Sequence, residues 1–312
     1  MKLNILLTGA SGFIGNAFLK ALNQYRNISK HEIQIFYIRR PNQKTNILNA
    51  KPIDINSNSI ESFKVALSSY SFDYIFNFAS YGVNRSENNI LESIDGNITF
   101  LVNLLLGINN KPSLFVNIGS CAEYGIVEYG KKVNESSITK PESLYATSKL
   151  SAYYYGLSVA KQKDIPFIHL RLFGVYGEGE NKERLLPYVT NNLLKRIKSN
   201  LTSGNQVRDW IYIDDVINAL IYFLEADLSE IQKFSIYNIC SGKGQSVKKM
   251  LKTLCNELNA SDHLLEWNKI TRIDEPKWLV GDPSRFKSIS GWEPKISLEQ
   301  GIKNFVRFFE SN

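Results

Sequence analysis

An apolar run at Leu3–Leu7 passes directly into Thr8-Gly9-Ala10-Ser11-Gly12-Phe13-Ile14-Gly15 and then into a helical stretch ending near Tyr25. This order of strand, glycine turn and helix constrains the fold more than any other segment. Glycines without β-carbons let the backbone turn sharply and let it approach a pyrophosphate at the helix N-terminus. Their spacing is G-x-x-G-x-x-G rather than the commoner G-x-G-x-x-G. A plain tight turn with close helix–strand packing would use the same residues. Placement after the first strand favours dinucleotide binding, with Gly9, Ser11, Gly12, Phe13, Ile14 and Gly15 as the expected contacts.

The alternation continues. Strand-like runs occur at Leu3–Leu7, Ile33–Ile38, Tyr74–Ala79, Leu114–Ile118 and Phe167–Phe173. Helical stretches separate them at Phe13–Tyr25, Ser59–Ser69, Ile90–Leu106 and Glu142–Lys161. Crossovers of this length predict an α/β fold, a Rossmann doubly wound parallel sheet covered on both faces. After Gly174 the pattern loosens into a polar turn at 177–181, a helix near Arg184–Lys198 and a strand–helix unit at Trp210–Leu224, with Pro276, Pro283 and Pro294 as later breakers. The expected organisation is an NAD(P)-binding Rossmann domain over 1–173 and 207–236, with a smaller C-terminal α/β substrate-binding domain over 174–206 and 237–312. The 312 residues, 43% hydrophobic, suffice for both.

The net charge of +7 is scattered in small groups such as Lys131-Lys132 and Lys248-Lys249, which read as solvated faces. No basic tract is interleaved with aromatics, so no nucleic-acid partner is expected. An anionic small ligand would explain a few arginines. Met1–Leu7 is too short for a signal peptide, and no stretch reads as long and apolar enough to span a membrane. Cys121, Cys240 and Cys255 are far apart, and His31, His169 and His263 stand isolated. A disulfide framework or a metal site is therefore not expected, and a reducing cytoplasm fits.

The chemistry is read first from Pro141-Glu142-Ser143-Leu144-Tyr145-Ala146-Thr147-Ser148-Lys149. Tyr145 and Lys149, one helical turn apart, share a face. A free phenol titrates near roughly pH 10, and a nearby ammonium lowers that value, so the pair can act as a general acid/base. The second strand ends in Arg39-Arg40-Pro41, where an acid would bond the 2′-hydroxyl of NAD. Arginine suits a 2′-phosphate instead, so NADP(H) is the expected cofactor and NAD(H) the alternative. An exposed basic turn would look the same.

Together these features resemble the extended short-chain dehydrogenase/reductases, in the nucleotide-sugar epimerase/dehydratase/reductase superfamily, nearly end to end. The resemblance implies further roles. Asp54, followed by Ile55, is placed like an adenine-contacting acid, and Asn77-Phe78-Ala79-Ser80 like a segment lining the cofactor. Asn97 matches the family's helix asparagine. Ser120, in Gly119-Ser120-Cys121-Ala122-Glu123-Tyr124-Gly125, matches the catalytic Ser/Thr. Arg171-Leu172-Phe173-Gly174-Val175-Tyr176-Gly177 is similar to R-x-x-N-x-Y-G, with Gly174 where Asn is usual, and Phe173 falls on the cofactor side. Arg208, in Arg208-Asp209-Trp210-Ile211-Tyr212-Ile213-Asp214-Asp215, and Arg272 resemble arginines that grip a sugar-nucleotide diphosphate.

Departures narrow the implied reaction. The 4,6-dehydratases carry an Asp-Glu pair after the catalytic Thr, where this chain has Cys121 and Ala122. The cysteine of GDP-fucose synthases aligns with Ala122, so Cys121 reads as a small packed residue. What remains is hydride chemistry at one carbon: NADPH-dependent reduction of the 4-keto group of a nucleoside-diphosphate 4-keto-6-deoxyhexose, as in bacterial surface-polysaccharide sugar biosynthesis. Tyr145 would donate the proton, Lys149 would tune Tyr145 and hold the nicotinamide ribose, and Ser120 would bond the oxyanion and the substrate. The runs Phe78–Asn84, Cys121–Gly125 and Arg171–Gly174 are most similar to the CDP-abequose synthase group of 4-ketoreductases. The alternatives are an NAD-dependent UDP-sugar 4-epimerase and a non-enzymatic NADP-binding sensor or scaffold, against which the intact Ser120–Tyr145–Lys149 set argues. Family members commonly form homodimers through two helices, here Ile90–Leu106 and Glu142–Lys161. Apolar residues such as Leu101, Leu104, Leu105, Tyr153, Tyr154 and Tyr155 extend beyond one helical stripe and call for a second partner.

Overall fold

Ile5, Leu6 and Leu7 are all wholly buried in the Lys2–Thr8 strand, the pattern of a strand covered on both faces. In the computed structural model, which describes residues 2–40, 46–83, 86–271 and 275–311, this strand lies inside a seven-stranded sheet. From one edge the order is Phe234–Ile239, Phe167–Leu172, Leu114–Ser120, Tyr74–Asn77, Lys2–Thr8, Glu32–Arg39 and Lys51–Asp54. Parallel pairing joins Lys2–Thr8 to both neighbours, with Leu3 opposite Ile33 and Leu6 opposite Ile75. The strand order thus reverses beside Lys2–Thr8, and a doubly wound sheet opens its ligand crevice at such a switch point. The glycine turn begins there. The edge strand Lys51–Asp54 was not anticipated, because only Ile53 of its four residues is buried and it shows no apolar run.

The helix expected at Ile90–Leu106 is interrupted. It runs as an α-helix over Ile90–Ser93, a π-helix over Ile94–Thr99 and an α-helix again over Phe100–Gly107. It also amends the expectation about membranes, since Ile90–Gly107 is long and apolar enough to cross one. Its apolar residues are committed elsewhere: Phe100, Leu101, Leu104 and Leu105 pack into one cluster with Phe63, Phe115 and Phe167. Burial of each such side chain contributes about 1.5–3 kcal/mol. The extra apolar face anticipated at Leu101, Leu104 and Leu105 is therefore core.

Two units form. The first comprises Met1–Glu123, Ser143–Arg171 and Leu220–Tyr237, and the second Tyr124–Glu142, Leu172–Ala219 and Asn238–Asn312. Residues 124–142, 172–173 and 207–219, expected in the first domain, fall in the second unit, and Tyr237, expected in the second, falls in the first. Strand pairing explains this. Val207–Tyr212 pairs with Gly174–Tyr176, Gly244–Ser246 and Trp278–Gly281, and Lys132–Val133 pairs with Trp278–Gly281.

Two acids of the Arg208–Asp215 run hold the second unit together. Buried Asp209 accepts from Ser241 N at 2.7 Å, Ser241 Oγ at 2.6 Å, Gly242 N at 2.9 Å and Gly281 N at 3.1 Å. Asp215 accepts from the backbone amides of Lys295 and Ile296 at 2.9 and 3.0 Å. Each carboxylate supplies the partners that loop amides would otherwise lack.

Candidate active site

The turn after Lys2–Thr8 is shaped by Gly9. Its φ is +63°, and a β-carbon there would come within 2.7 Å of the Phe78 carbonyl carbon and 2.8 Å of the Ala79 nitrogen. Neither contact is compatible with a side chain. Gly12 caps the Phe13–Ile28 helix without a side-chain hydrogen bond, and the first turn has no acidic residue. Its amides therefore remain available to an anion. These features fit the pyrophosphate of a dinucleotide.

A groove opens over this turn, lined by Gly9, Ala10, Ser11, Gly12, Tyr37, Ile38, Arg40, Ile47, Phe78, Ala79, Ser80 and Phe100. It gathers Gly9, Ser11, Gly12, Arg40, Phe78, Ala79 and Ser80 from the expected cofactor set. Ala10, Tyr37, Ile38, Ile47 and Phe100 also line it and were not among the expected residues. Tyr37 and Ile38 end an expected strand next to Arg39-Arg40, which was the available signal, whereas Phe100 arrives from a helix remote in sequence.

The two arginines differ. Arg39 donates through Nε and Nη2 to Asp54 at 2.5 and 2.7 Å, and through Nη1 to Asn46 at 2.9 Å. Arg39 and Asp54, expected to contact the 2′-phosphate and adenine, thus bond each other. Ile55, next in sequence after Asp54, is buried. Arg40 lines the groove, its guanidinium carbon 5.1 Å from the centre of the Phe100 ring. Phe13 and Ile14 are half-buried and Gly15 is buried, in the first turn of the helix. Phe173 lies in the second unit, buried, its ring centre 6.2 Å from that of Tyr124.

The catalytic candidates belong to the first unit. Ser120 ends the Leu114–Ser120 strand, and its Oγ accepts from Ala122 N at 3.2 Å. Tyr145 and Lys149 lie in the Leu144–Gln162 helix, started by a Ser143 cap that accepts from Ala146 N at 3.1 Å. Lys149 is buried and donates to Ile118 O at 2.8 Å, so the helix is tied to the strand that carries Ser120. Burial pushes its pKa down to about 8, against an opposing pull from Glu123. Gly82 lies beside the Tyr145 ring, which is half-buried.

Asn97 lies within the π-helix. Its Oδ1 accepts from Tyr81 N at 2.7 Å, while Nδ2 donates to Tyr81 O at 2.9 Å and to Ser148 Oγ at 2.7 Å. Ser148 Oγ donates in turn to Tyr145 O at 2.9 Å. One amide thus clips the segment after Ser80 to the Tyr145 helix, and π-segments often occur at such functional points.

His169, isolated in sequence, is a buried centre. Nε2 lies 3.0 Å from Glu123 Oε1, and Nδ1 lies 2.9 Å from Asn117 Nδ2. Cys121 is half-buried rather than packed away like Cys240 and Cys255. In the second unit Arg208 pairs with Glu275 at 3.2 Å through Nη2 and donates through Nη1 to Val207 O at 2.8 Å. Arg272 lies outside the described residues. Among the described residues no three His, Cys, Asp or Glu side chains gather as metal ligands.

Comparison with known proteins identifies the family. The profile of the NAD dependent epimerase/dehydratase family matches residues 5–240. The chain is 27% identical over 314 residues to a CDP-abequose synthase of Salmonella typhimurium, with 98% of each chain covered. It is 28% identical over 312 residues to that of Salmonella muenchen, again with 98% of each covered. It also shares the fold of the UDP-glucose 4-epimerase of Thermotoga maritima solved with UDP-glucose, with a TM-score of 0.85, 24% identity and 99% of each chain covered.

Proposed function

The chain belongs to the NAD dependent epimerase/dehydratase family, and from that premise we propose that it is an NADPH-dependent 4-ketoreductase of nucleoside-diphosphate 4-keto-6-deoxyhexoses. One observation carries the reading. Ser120, Tyr145 and Lys149 are present, while Cys121 and Ala122 follow Ser120 where a 4,6-dehydratase needs two acids. The residues can move one proton and hold one oxyanion, with no acid pair for elimination. The full-length likeness to two CDP-abequose synthases supports it.

A nicotinamide cofactor held over Arg40 and the turn of Gly9 and Gly12 would supply the hydride to the 4-keto carbon. Tyr145 delivers the proton to the new alkoxide, Ser120 hydrogen-bonds that oxygen as charge develops, and the Lys149 ammonium favours the phenolate left behind. Arg40 lines the groove and suits a 2′-phosphate, and Asp54 is engaged by Arg39, which supports the NADPH reading. Arg208 and Arg272 are assigned to the substrate diphosphate. The active form is a homodimer, and the free cysteines fit a reducing cytoplasm.

Incubation with CDP-, dTDP-, UDP- and GDP-linked 4-keto-6-deoxy sugars plus NADPH tests the reading. Loss of NADPH absorbance with formation of a 4-hydroxy product is the expected result. Stoichiometric bound NAD⁺ in the purified protein, with 4-epimerisation of a UDP-sugar needing no added cofactor, would replace this reading with the epimerase one.

A further inference from the structure

Glu123 takes no part in the proposed proton transfer and does not line the cofactor groove, yet it is wholly buried. It sits in the short 3-10 helix Cys121–Tyr124, directly after the strand that ends in Ser120. Its Oε1 accepts from Ser120 N at 2.8 Å and from His169 Nε2 at 3.0 Å, and its Oε2 accepts from Arg171 Nε at 2.8 Å. Burial pushes its pKa up, but His169 and Arg171 outweigh that and hold it at about 2.

An ionised carboxylate only accepts hydrogen bonds, and this orders the polar groups beyond it. His169, kept neutral by burial, must carry its proton on Nε2, so Nδ1 accepts from Asn117 Nδ2. Asn117 Oδ1 then accepts from Asn77 Nδ2 at 2.7 Å, and Asn77 Oδ1 from Thr8 Oγ1 at 2.5 Å. Ala79 N donates to Thr8 Oγ1 at 3.2 Å, which leaves the Thr8 proton for Asn77. The row thus crosses four neighbouring strands, from the glycine turn to the backbone of Ser120.

Glu123 and Lys149 grip the same stretch of backbone: Lys149 bonds Ile118 O, Glu123 bonds Ser120 N, and Gly119 lies between. A β-carbon on Gly119 would lie 2.2 Å from His169 Nε2 and 2.6 Å from Glu123 Oε1, so only glycine leaves room for the pair. Among the described residues, His169 and Arg171 on the neighbouring strand act on Glu123, and Glu123 acts in turn on Lys149 on the helix. The Tyr153 ring packs on His169 at 4.6 Å between centres.

We infer that Glu123 is a positioning residue of the reaction centre: clamped by His169 and Arg171, it fixes the backbone that carries Ser120 and supplies the negative charge opposing the buried Lys149 ammonium. The inference rests on Ser120, Tyr145 and Lys149 being the reacting set. Glutamine in its place keeps the shape and removes the charge.

The test is a titration of the side-chain εCH2 signals in ¹³C-lysine-labelled protein, with Lys149→Arg identifying the relevant resonance. In the wild type Lys149 should titrate near 8. In Glu123→Gln its midpoint should fall by roughly one unit or more, the usual effect of removing a close opposite charge. The alkaline limb of kcat should shift downward with it. An unmoved midpoint in folded Glu123→Gln overturns the inference. Glu123→Asp keeps the charge and withdraws it by one methylene, and it decides the matter if Glu123→Gln does not fold. The Ser120 amide proton should then move upfield and exchange faster, whereas an unmoved Ser120 amide also overturns the inference. Neither NMR measurement uses substrate or cofactor, so a wrong substrate assignment fails in the sugar panel and leaves these results standing.

Discussion

Tyr145 and Lys149 share a helix face but not an environment. Tyr145 is half-buried beside Gly82, where a ligand can reach it, while Lys149 is buried on the Ile118 carbonyl. Tyr145→Phe keeps the ring and loses only the hydroxyl. Turnover should fall by roughly 10²–10⁴, with melting temperature and NADPH affinity near wild type. Near-normal turnover in the purified variant would remove Tyr145 from the chemistry. Arg208 poses a different question, because its guanidinium is paired with Glu275. Both side chains of this pair are mostly buried, so a purely structural role would show as lost stability with sugar-nucleotide binding unchanged. A charged hydrogen bond to a diphosphate is worth roughly 1.5–3 kcal/mol. Arg208→Met should therefore weaken nucleotide-sugar binding about tenfold or more and leave NADPH binding unchanged. Calorimetric titration of both ligands decides, and weakened NADPH with intact sugar-nucleotide binding would move the diphosphate site elsewhere.

Among the elements, the Ile90–Gly107 helix departs most from what its periodicity suggests. Its π-helix coincides with Asn97, whose amide meets both the N–H and the C=O of Tyr81 and also Ser148. Asn97→Leu removes the amide that meets the Tyr81 N–H and C=O, and one of the two bonds of Ser148 Oγ, and should cost about 1–3 kcal/mol, read as a lower melting temperature. Because Ser148 bonds the Tyr145 carbonyl, kcat should fall as well. An unchanged melting temperature would show that Asn97 holds nothing in place.

For the whole molecule, one group of exposed apolar side chains lies on a pair of helical elements. Ile90, Leu91 and Ile94 are 62%, 76% and 44% exposed, and Tyr154 and Tyr155 are 58% and 61% exposed. The segments that carry them pack against each other in the first unit. If the chain pairs through these two elements, as the proposed homodimer does, a second copy would cover exposed apolar area there. Light scattering at micromolar concentration should give twice the 35.5 kDa chain mass, and Tyr154→Glu with Tyr155→Glu should return the monomer. A wild-type protein that stays monomeric would leave that face without its proposed role.

The amino-acid sequence by itself determined the strand–glycine turn–helix opening, the alternation that makes a parallel sheet, and the Tyr145–Lys149 pair. These are local: a missing β-carbon, an apolar run and a helical turn act within a few residues. Tertiary structure decided which arginine faces the groove, because Arg39 meets Asp54 only across two paired strands. It decided that 124–142 and 207–219 join the second unit, because their strand partners lie far along the chain. It also made a centre of His169, which has no partner near it in sequence. Thr8, Asn77, Asn117 and His169 come from four strands, and only sheet formation sets their polar groups side by side. Once buried there, each must bond the next, since an unpaired polar group out of water is costly.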